Sequence, residues 1–224
     1  MGRGVNGDKI AVVTNGVDMS RFRAMPKDVA LVQELNLADK FVAGYVGTHG
    51  LAHHLETVLD AAEMLRATDD GDRFHFIFLG DGARKQALKE AASQRGLSNV
   101  TFIDSVPKEE VARYWSLLNV SVIHLRKTEL FTTVIPSKLF ECMGMGLPVL
   151  HGVAGESADI VRNEGVGMVF EPENAEQLVT HLQTLQRDTL AYEGYRARCL
   201  EAAKKYDRTT MAMKLLEVLE KIES

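Results

Sequence analysis

Disulfides, membrane spans, a nucleic-acid charge and a dinucleotide fingerprint are all missing from this chain, and each absence removes a class of protein. Only two cysteines, Cys142 and Cys199, occur in 224 residues, which excludes a disulfide framework and suits reduced thiols in a cytosolic protein. No apolar run reaches the roughly eighteen residues of a membrane-spanning helix, and no stretch reads as a secretory signal. With 26 Lys and Arg against 31 Asp and Glu, the formal charge of −5 offers nucleic acid no electrostatic footing. The glycines after the first main strand run Gly44-x-x-Gly47-x-x-Gly50 rather than G-x-G-x-x-G, so a nicotinamide-linked or epimerase-type enzyme lacks its signature. Metal ligands are scarce too. His49, His53 and His54 include an adjacent pair with no further ligand at a zinc-like spacing. Asp70-Gly71-Asp72 is formally a D-x-D, but it precedes a strand and so falls at the amino end of a sheet, as a surface loop. Neither a metal nor a resident cofactor is expected.

What is present is an ordinary globular composition, 46% hydrophobic and 25% charged, enough for a substantial core. Short apolar runs at 41–46, 74–79, 99–103, 120–125, 147–150 and 166–170 predict strands. Between and after them, amphipathic segments at 51–65, 83–93, 108–118, 156–163 and 175–185 predict helices, with Pro107 helping to start the third. This alternation predicts an α/β fold: a Rossmann-like, doubly wound parallel sheet of about six strands with helices on both faces. Ligands of such sheets bind outside the carboxyl ends of the strands, near the topological switch point. The expected organisation is a linker and leading strand over 1–24, the main domain over 25–205 and a C-terminal helix over 206–224. The leading strand is the apolar run at 10–13, followed by a turn through Asn15 and Gly16.

The stretch 133–150, TVIPSKLFECMGMGLPVL, is built to hold a phosphate and a diol where a strand gives way to a helix. Pro136 presets its own φ for a first helical turn and disfavours helix at Ile135. Ser137 is then a candidate cap, leaving free N–H groups at Lys138 and Leu139. A helix N-terminus with a lysine in its first turn suits a diphosphate, because the partial charge of the helix end and a full ammonium converge. Glu141, one turn on, shares the side of Ser137 and Lys138 and can accept two hydrogen bonds from a ribose. Gly144 and Gly146 end the helix. Other candidates lie at strand ends on the same side. Gly47-Thr48-His49-Gly50 follows the first main strand, and its glycines permit close approach to a phosphate; a tight turn explains them as well. Gly80-Asp81-Gly82 follows the second strand, where a D-G turn is an equal explanation. His124-Leu125-Arg126-Lys127 follows the fourth and brings cations to this rim, or is simply a solvated basic loop.

PSKLFECMGMGLPVL resembles the C-terminal, donor-binding half of the retaining "group 1" glycosyltransferases of GT-B fold. Within them it resembles the branch that builds bacterial lipopolysaccharide and capsule glycans, including N-acetylfucosamine transferase-like proteins. The hallmark of that family is a Glu, seven residues and a second Glu; Glu141 matches the second, while Thr133 stands in the place of the first. The NGVD-x3-F segment ending at Phe22 is similar to the family's interdomain joint, which implies that this chain is one half of a GT-B enzyme, inactive alone. The resemblance implies that Lys138 stabilises the departing diphosphate. It places Gly47, Thr48, Gly50, Gly80, Asp81, Val106 (through its main chain, to the base), Arg126, Thr133, Ser137, Leu139 and Glu141 around the donor. Many relatives carry an Arg after the first-strand Gly and a Lys-Gly pair a few residues on; here Thr48, His53 and His54 stand nearby instead. The implied donor is a nucleoside diphosphate sugar, with UDP the expected nucleotide. The implied partners are an N-terminal acceptor domain, toward which helix 206–224 would pack, and a glycan or lipid-linked acceptor. The implied location is cytoplasmic, at the inner face of the membrane for the full-length enzyme. A non-catalytic nucleotide-binding module of the same fold is the alternative.

Overall fold

A computed structural model describes residue 6 and residues 9–223. Residues 1–5 and 7–8 of the expected linker, and residue 224, lie outside the described residues. Six strands form one wholly parallel sheet: β1 (Phe41–Val46), β2 (Phe74–Leu79), β3 (Val100–Ile103), β4 (Val120–His124), β5 (Val149–Gly152) and β6 (Gly167–Val169), in the order β3-β2-β1-β4-β5-β6. Phe41 pairs with Phe74 and the register runs on to Val46 with Leu79.

Both sides of the sheet are covered, which is why its strands read as continuous apolar runs rather than alternating ones. Val42, Val46, Ile77, Leu79 and Ile123 enter one core with α5 (Lys138–Met145) and α8 (Thr189–Lys205). Ala43, Tyr45, Phe74, Phe76, Phe78 and Val122 enter the other, with α2 (Glu56–Arg66), α3 (Lys85–Gln94) and α7 (Ala175–Arg187). Helix α1 (Val29–Glu34) starts on Asp28, whose carboxylate accepts from the Leu31 N–H at 3.0 Å. Asn174 and Asp188 cap α7 and α8 in the same way, at 2.9 Å each, caps of this type being worth ~1 kcal/mol. Helices α4 (Val111–Trp115), α6 (Glu156–Glu164) and α9 (Arg208–Glu223) complete the chain. Among the described residues no helix is long and apolar enough to cross a membrane.

Several expectations need correction. The run at 10–13 forms no strand; Ile10 is 55% and Val12 82% exposed, because no sheet edge is there to receive them. The helix expected over 51–65 is broken: Leu51–His53 is a 3₁₀ turn, His54 is left-handed at φ 41°, and α2 begins only at Glu56. The helix expected over 108–118 shrinks to the five residues of α4. Gly144 does not end α5. It lies inside the helix, where a Cβ would stand 2.5 Å from the Phe22 carbonyl oxygen, so it lets the N-terminal segment pack close. Gly146, at φ 65°, is the cap. That segment is more than a linker. Val17 and Phe22 are buried, and Val17 makes a parallel bridge to Asp207, with Val17 N–H donating to Tyr206 O at 2.8 Å and Arg208 N–H to Val17 O at 2.9 Å. Beyond that bridge α9 leaves Met213, Leu215, Leu216 and Leu219 exposed.

The carboxyl ends of β2 and β3 are tied together by Lys85. It is buried at 7% exposure, and its ammonium donates to Gly80 O at 2.6 Å, Ile103 O at 3.2 Å and the Asp104 carboxylate at 2.6 Å. Lys85→Met keeps the apolar stem and removes the three bonds. The expected loss is about 1–3 kcal/mol, read as a Tm lowered by about 2–4 °C per kcal/mol; an unchanged melting curve would mean that these bonds add nothing to stability.

Candidate functional site

The chain leaves β1 for α2 on one face and leaves β4 for α5 on the other, so the neighbouring strands β1 and β4 define the switch point of the sheet. A crevice at the carboxyl ends of these strands is where such sheets take ligands. Here the Gly47–Gly50 loop faces the start of α5.

The first turn of α5 differs from the capped arrangement expected of it. Ser137 is exposed and already helical at φ −58° and ψ −32°, and its hydroxyl makes no capping bond. Leu139 does not offer a free N–H: it donates to Pro136 O at 3.0 Å, and its side chain is wholly buried in the core. The ring of Pro136 is followed by a tight turn rather than an extended cap residue, and that turn consumes the bond. Among the described residues, the N–H groups of Ser137 and Lys138 donate to no backbone carbonyl, so the positive helix end remains, one residue earlier than expected.

Lys138 reaches over β1. Its Nζ lies 4.0 Å from the centroid of the Tyr45 ring, and a Cβ on Gly47 would stand 2.8 Å from that nitrogen. Burial pushes the ammonium down to about 8, with Cys142 and Glu141 acting in the opposite direction. Glu141 is half-buried, and desolvation raises its carboxyl above the usual range against the pull of Lys138, Arg208 and Arg21. Among the described residues neither side chain has an ion-pair or hydrogen-bond partner at contact distance.

The loop opposite is held firmly. Gly47 N–H donates to Leu79 O at 2.9 Å, His49 N–H to Asp81 O at 2.8 Å, Arg84 N–H to His49 O at 2.9 Å, and the Tyr45 hydroxyl to Thr48 O at 2.8 Å. Gly80, at φ 139°, lies so close that a Cβ would meet Gly47 O at 2.0 Å; only glycine lets the two loops lock together. Thr48 and Asp81 are exposed, and the Asp81 carboxylate accepts from Gly82 N–H at 2.7 Å. Val106, after β3, packs half-buried on the core, and among the described residues its main-chain N–H and C=O have no hydrogen-bond partner. Arg126 is exposed and its N–H donates to Ala52 O at 2.8 Å, binding the loop after β4 to the 3₁₀ turn. Lys127 is paired with Glu171 instead. Thr133 is exposed in the turn before α5. Asp70 is bonded to Arg187 at 2.7 Å and ties α7 to the amino end of the sheet, so it serves as a structural link there.

Three side chains at this edge were not among the expected site residues. Tyr45 supports both Lys138 and Thr48. The only sequence signal for it is a phenol inside an otherwise apolar strand, where a buried hydroxyl needs a partner. His49 is fully buried against Tyr45, Phe78 and Phe102, and burial together with Lys85 and Lys138 pushes its imidazole down to about 4. His53 lies 5.8 Å from the Tyr45 ring, centroid to centroid, and is likewise pushed down to about 4, by burial and by Lys138.

A doubly wound sheet with a glycine loop, a helix N-terminus and an unpaired lysine at its switch point defines an α/β domain whose crevice suits an anionic ligand. Residues 29–206 match the family model described as glycosyl transferases group 1, and the chain belongs to that family. It is 29% identical over 189 residues, 81% of this chain and 45% of the relative, to a putative colanic acid biosynthesis glycosyl transferase, WcaI, of Escherichia coli K12. Its fold is shared with Anabaena Alr3699/HepE in complex with UDP-glucose, at a TM-score of 0.81 and 19% identity, covering 97% of this chain and 59% of that one. It is also shared with the C-terminal domain of LpcC, a group 1 family glycosyl transferase from Francisella tularensis, at a TM-score of 0.71 and 19% identity, covering 86% of this chain and all of that one. The chain therefore spans less than half the length of the curated relative.

A lysine held in this way costs stability. Its usual value is 10.5, and in the folded chain it is about 8, so between those limits the unfolded chain binds more protons and folded stability rises with pH. Lys138→Met is accordingly expected to melt higher than the parent at neutral pH, by about 2–4 °C per kcal/mol regained. That advantage should shrink above pH 8 and vanish near 10.5. A lower Tm at neutral pH would show that the ammonium is stabilising where it sits.

Proposed function

We propose that this chain is the donor-binding domain of a retaining glycosyltransferase that uses a nucleoside diphosphate sugar, with UDP as the nucleotide, in bacterial surface polysaccharide or lipopolysaccharide synthesis. The observation that carries this reading is the unpaired Lys138 ammonium, set between the N-terminus of α5 and the bare backbone of Gly47. Support comes from family membership, from the colanic acid role given for WcaI and from the UDP-glucose bound by HepE.

In the reaction, the bond from the anomeric carbon to the β-phosphate oxygen breaks and an acceptor hydroxyl oxygen bonds to that carbon on the same face. The hydroxyl proton passes to the departing phosphate oxygen. Negative charge grows on the diphosphate, and Lys138 with the N–H groups of Ser137 and Lys138 is already placed to receive it, which lowers the barrier without reorganisation. The Glu141 carboxylate takes the ribose diol, each charge-assisted bond contributing roughly 1.5–3 kcal/mol. The free main-chain groups of Val106 meet the base edge. Gly47, Thr48, Gly50, Gly80, Asp81 and Arg126 form the wall around the phosphates and sugar, and no metal is called upon. The acceptor, a glycan or a lipid-linked sugar, would be held by an N-terminal domain, toward which the exposed face of α9 would pack.

Calorimetric titration with UDP, GDP, ADP and NAD tests the reading. UDP is expected to saturate, and Lys138→Ala and Glu141→Ala should each weaken it about tenfold to a hundredfold. Absence of UDP binding, or binding indifferent to both changes, would remove the proposal. Exposed Thr133, in place of the family's first Glu, favours a second reading as a non-catalytic nucleotide-binding module. Slow release of UDP from UDP-sugar by this chain, lost in Lys138→Ala, would count against that alternative.

A further inference from the structure

His124, at the end of β4, is 1% exposed and commits both of its ring nitrogens to other loops. Its Nδ1 lies 2.7 Å from His53 O, in the turn after β1, and its Nε2 lies 2.8 Å from the main-chain nitrogen of Glu173, in the loop after β6. A carbonyl oxygen can only accept and a backbone N–H can only donate. The partners therefore fix one form of the ring: neutral, with its hydrogen on Nδ1. The plane of the ring is fixed too. It stacks on Phe170 at 9° with centroids 5.8 Å apart, and a Cβ on Gly152 would stand 2.6 Å from its Cδ2. Further bonds run beside both contacts. Arg126 N–H takes the carbonyl just before that of His53, at Ala52, and Lys127 N–H donates to the Glu173 carboxylate at 3.0 Å. Among the described residues, Asn36, His54 and Glu173 are the non-glycine residues with positive φ, and the last two, at 41° and 68°, adjoin this imidazole. Left-handed residues of this kind persist where their surroundings over-determine them.

We propose that His124 is a positioning residue for the crevice: its neutral ring clasps the loops after β1 and β6 to the end of β4, and a proton on Nε2 opens the clasp. Its bearing on a ligand rests on the donor-binding reading above. The clasped turn continues directly from Gly50, and the loop after β4 leads through Thr133 to the start of α5, so the two walls of the crevice are set against each other through this ring. A proton taken from solvent onto Nε2 would put one N–H against the Glu173 N–H, donor against donor, while the bond to His53 O could survive. The loop after β6 is thus the arm that lets go. The titratable groups that face the ring are His53 and His54 from the turn, Glu56 from α2, His151 from β5 and Glu173 from the loop it holds, with Arg126 acting on Glu173 from the segment after β4. Burial and His54 outweigh the His53 carbonyl, Glu173 and Glu56, and hold His124 below its usual 6.5. The opened form therefore binds the proton more readily, and the clasp loosens as pH falls below that value.

The test reads the clasp first and UDP second. In long-range proton–nitrogen spectra at about pH 7.5, His124 should carry its hydrogen on Nδ1 and show a bare Nε2. The Glu173 amide should be protected from hydrogen exchange relative to the unfolded chain, and that protection should fall between about pH 7 and about pH 5 in step with the titration of His124. His124→Asn and His124→Gln separate the two arms, since an Asn amide reaches the place of Nδ1 and a Gln amide that of Nε2. His124→Asn should lose the Glu173 protection at every pH; His124→Gln should keep it and lose its sensitivity to acid. Each should weaken UDP by about threefold to tenfold in calorimetry at neutral pH. On acidification the parent should lose a further factor of that size relative to His124→Asn, whose arm to the loop after β6 is already open. A ring with its hydrogen on Nε2, or Glu173 protection indifferent to the charge of His124, would overturn the clasp, and both are read on the parent even where a variant fails to fold. If the parent binds UDP and neither variant changes the affinity, the positioning role is lost and the donor-binding reading stands. If the parent does not bind UDP, that reading falls and the positioning role goes with it.

Discussion

An ammonium over a phenol ring is the contact on which the carboxyl edge of this sheet depends. Cation–π attraction of this kind is worth about 0.5–2 kcal/mol, yet the Lys138 ammonium is pushed down to about 8, so desolvation outweighs everything that attracts it. The side chain stays there because the backbone beneath it cannot move. Leu139, Phe140, Cys142 and Met143 anchor α5 in the core, and Tyr45 is fixed from both ends, by its place in β1 and by its hydroxyl on Thr48. Packing energy spent in the two cores thus holds a charge in a position that the local electrostatics alone would reject. Such an arrangement favours an anion far more than it favours the empty fold.

That logic also explains why the loops after β1 and β2 are so tightly joined. If Gly47 could drift, the ammonium would escape to water and recover its solvation. Gly80 prevents this by allowing its own backbone to lie against the Gly47 carbonyl, and Lys85 pins Gly80 in turn through its carbonyl oxygen. One cation is held by polar bonds so that another can be held without them.

The sheet was legible in the sequence because its strands are buried on both faces, and runs such as Phe41–Val46 and Phe74–Leu79 are apolar apart from Tyr45 and His75. Helix boundaries were less legible. His54 in a left-handed conformation breaks the segment before α2, and histidine gives no warning of that in the way glycine does. At the site, Lys138, Glu141 and the glycine loop were evident from their spacing along the chain. The failed cap at Ser137 was not, because whether a serine caps a helix or opens it as a turn is decided by how the preceding proline packs. Tyr45 was less legible for a different reason: beyond being a phenol in an apolar strand, its role arises from contacts with Lys138 of α5 and with the Thr48 carbonyl, which no pattern within β1 encodes.

The bridge between Val17 and Asp207 draws a boundary different from that of sequence kinship. Similarity to the family covers residues 29–206, whereas the folded body closes on itself only when the chain on both sides of that range is included. A unit cut at the limits of kinship would lose both partners of the bridge at once and strip Phe22 from the notch at Gly144, uncovering the far end of the helix that carries Lys138. The segment entering the domain and the segment leaving it are therefore neighbours in space. Any motion imposed on one is delivered to the other, and both bear directly on α5.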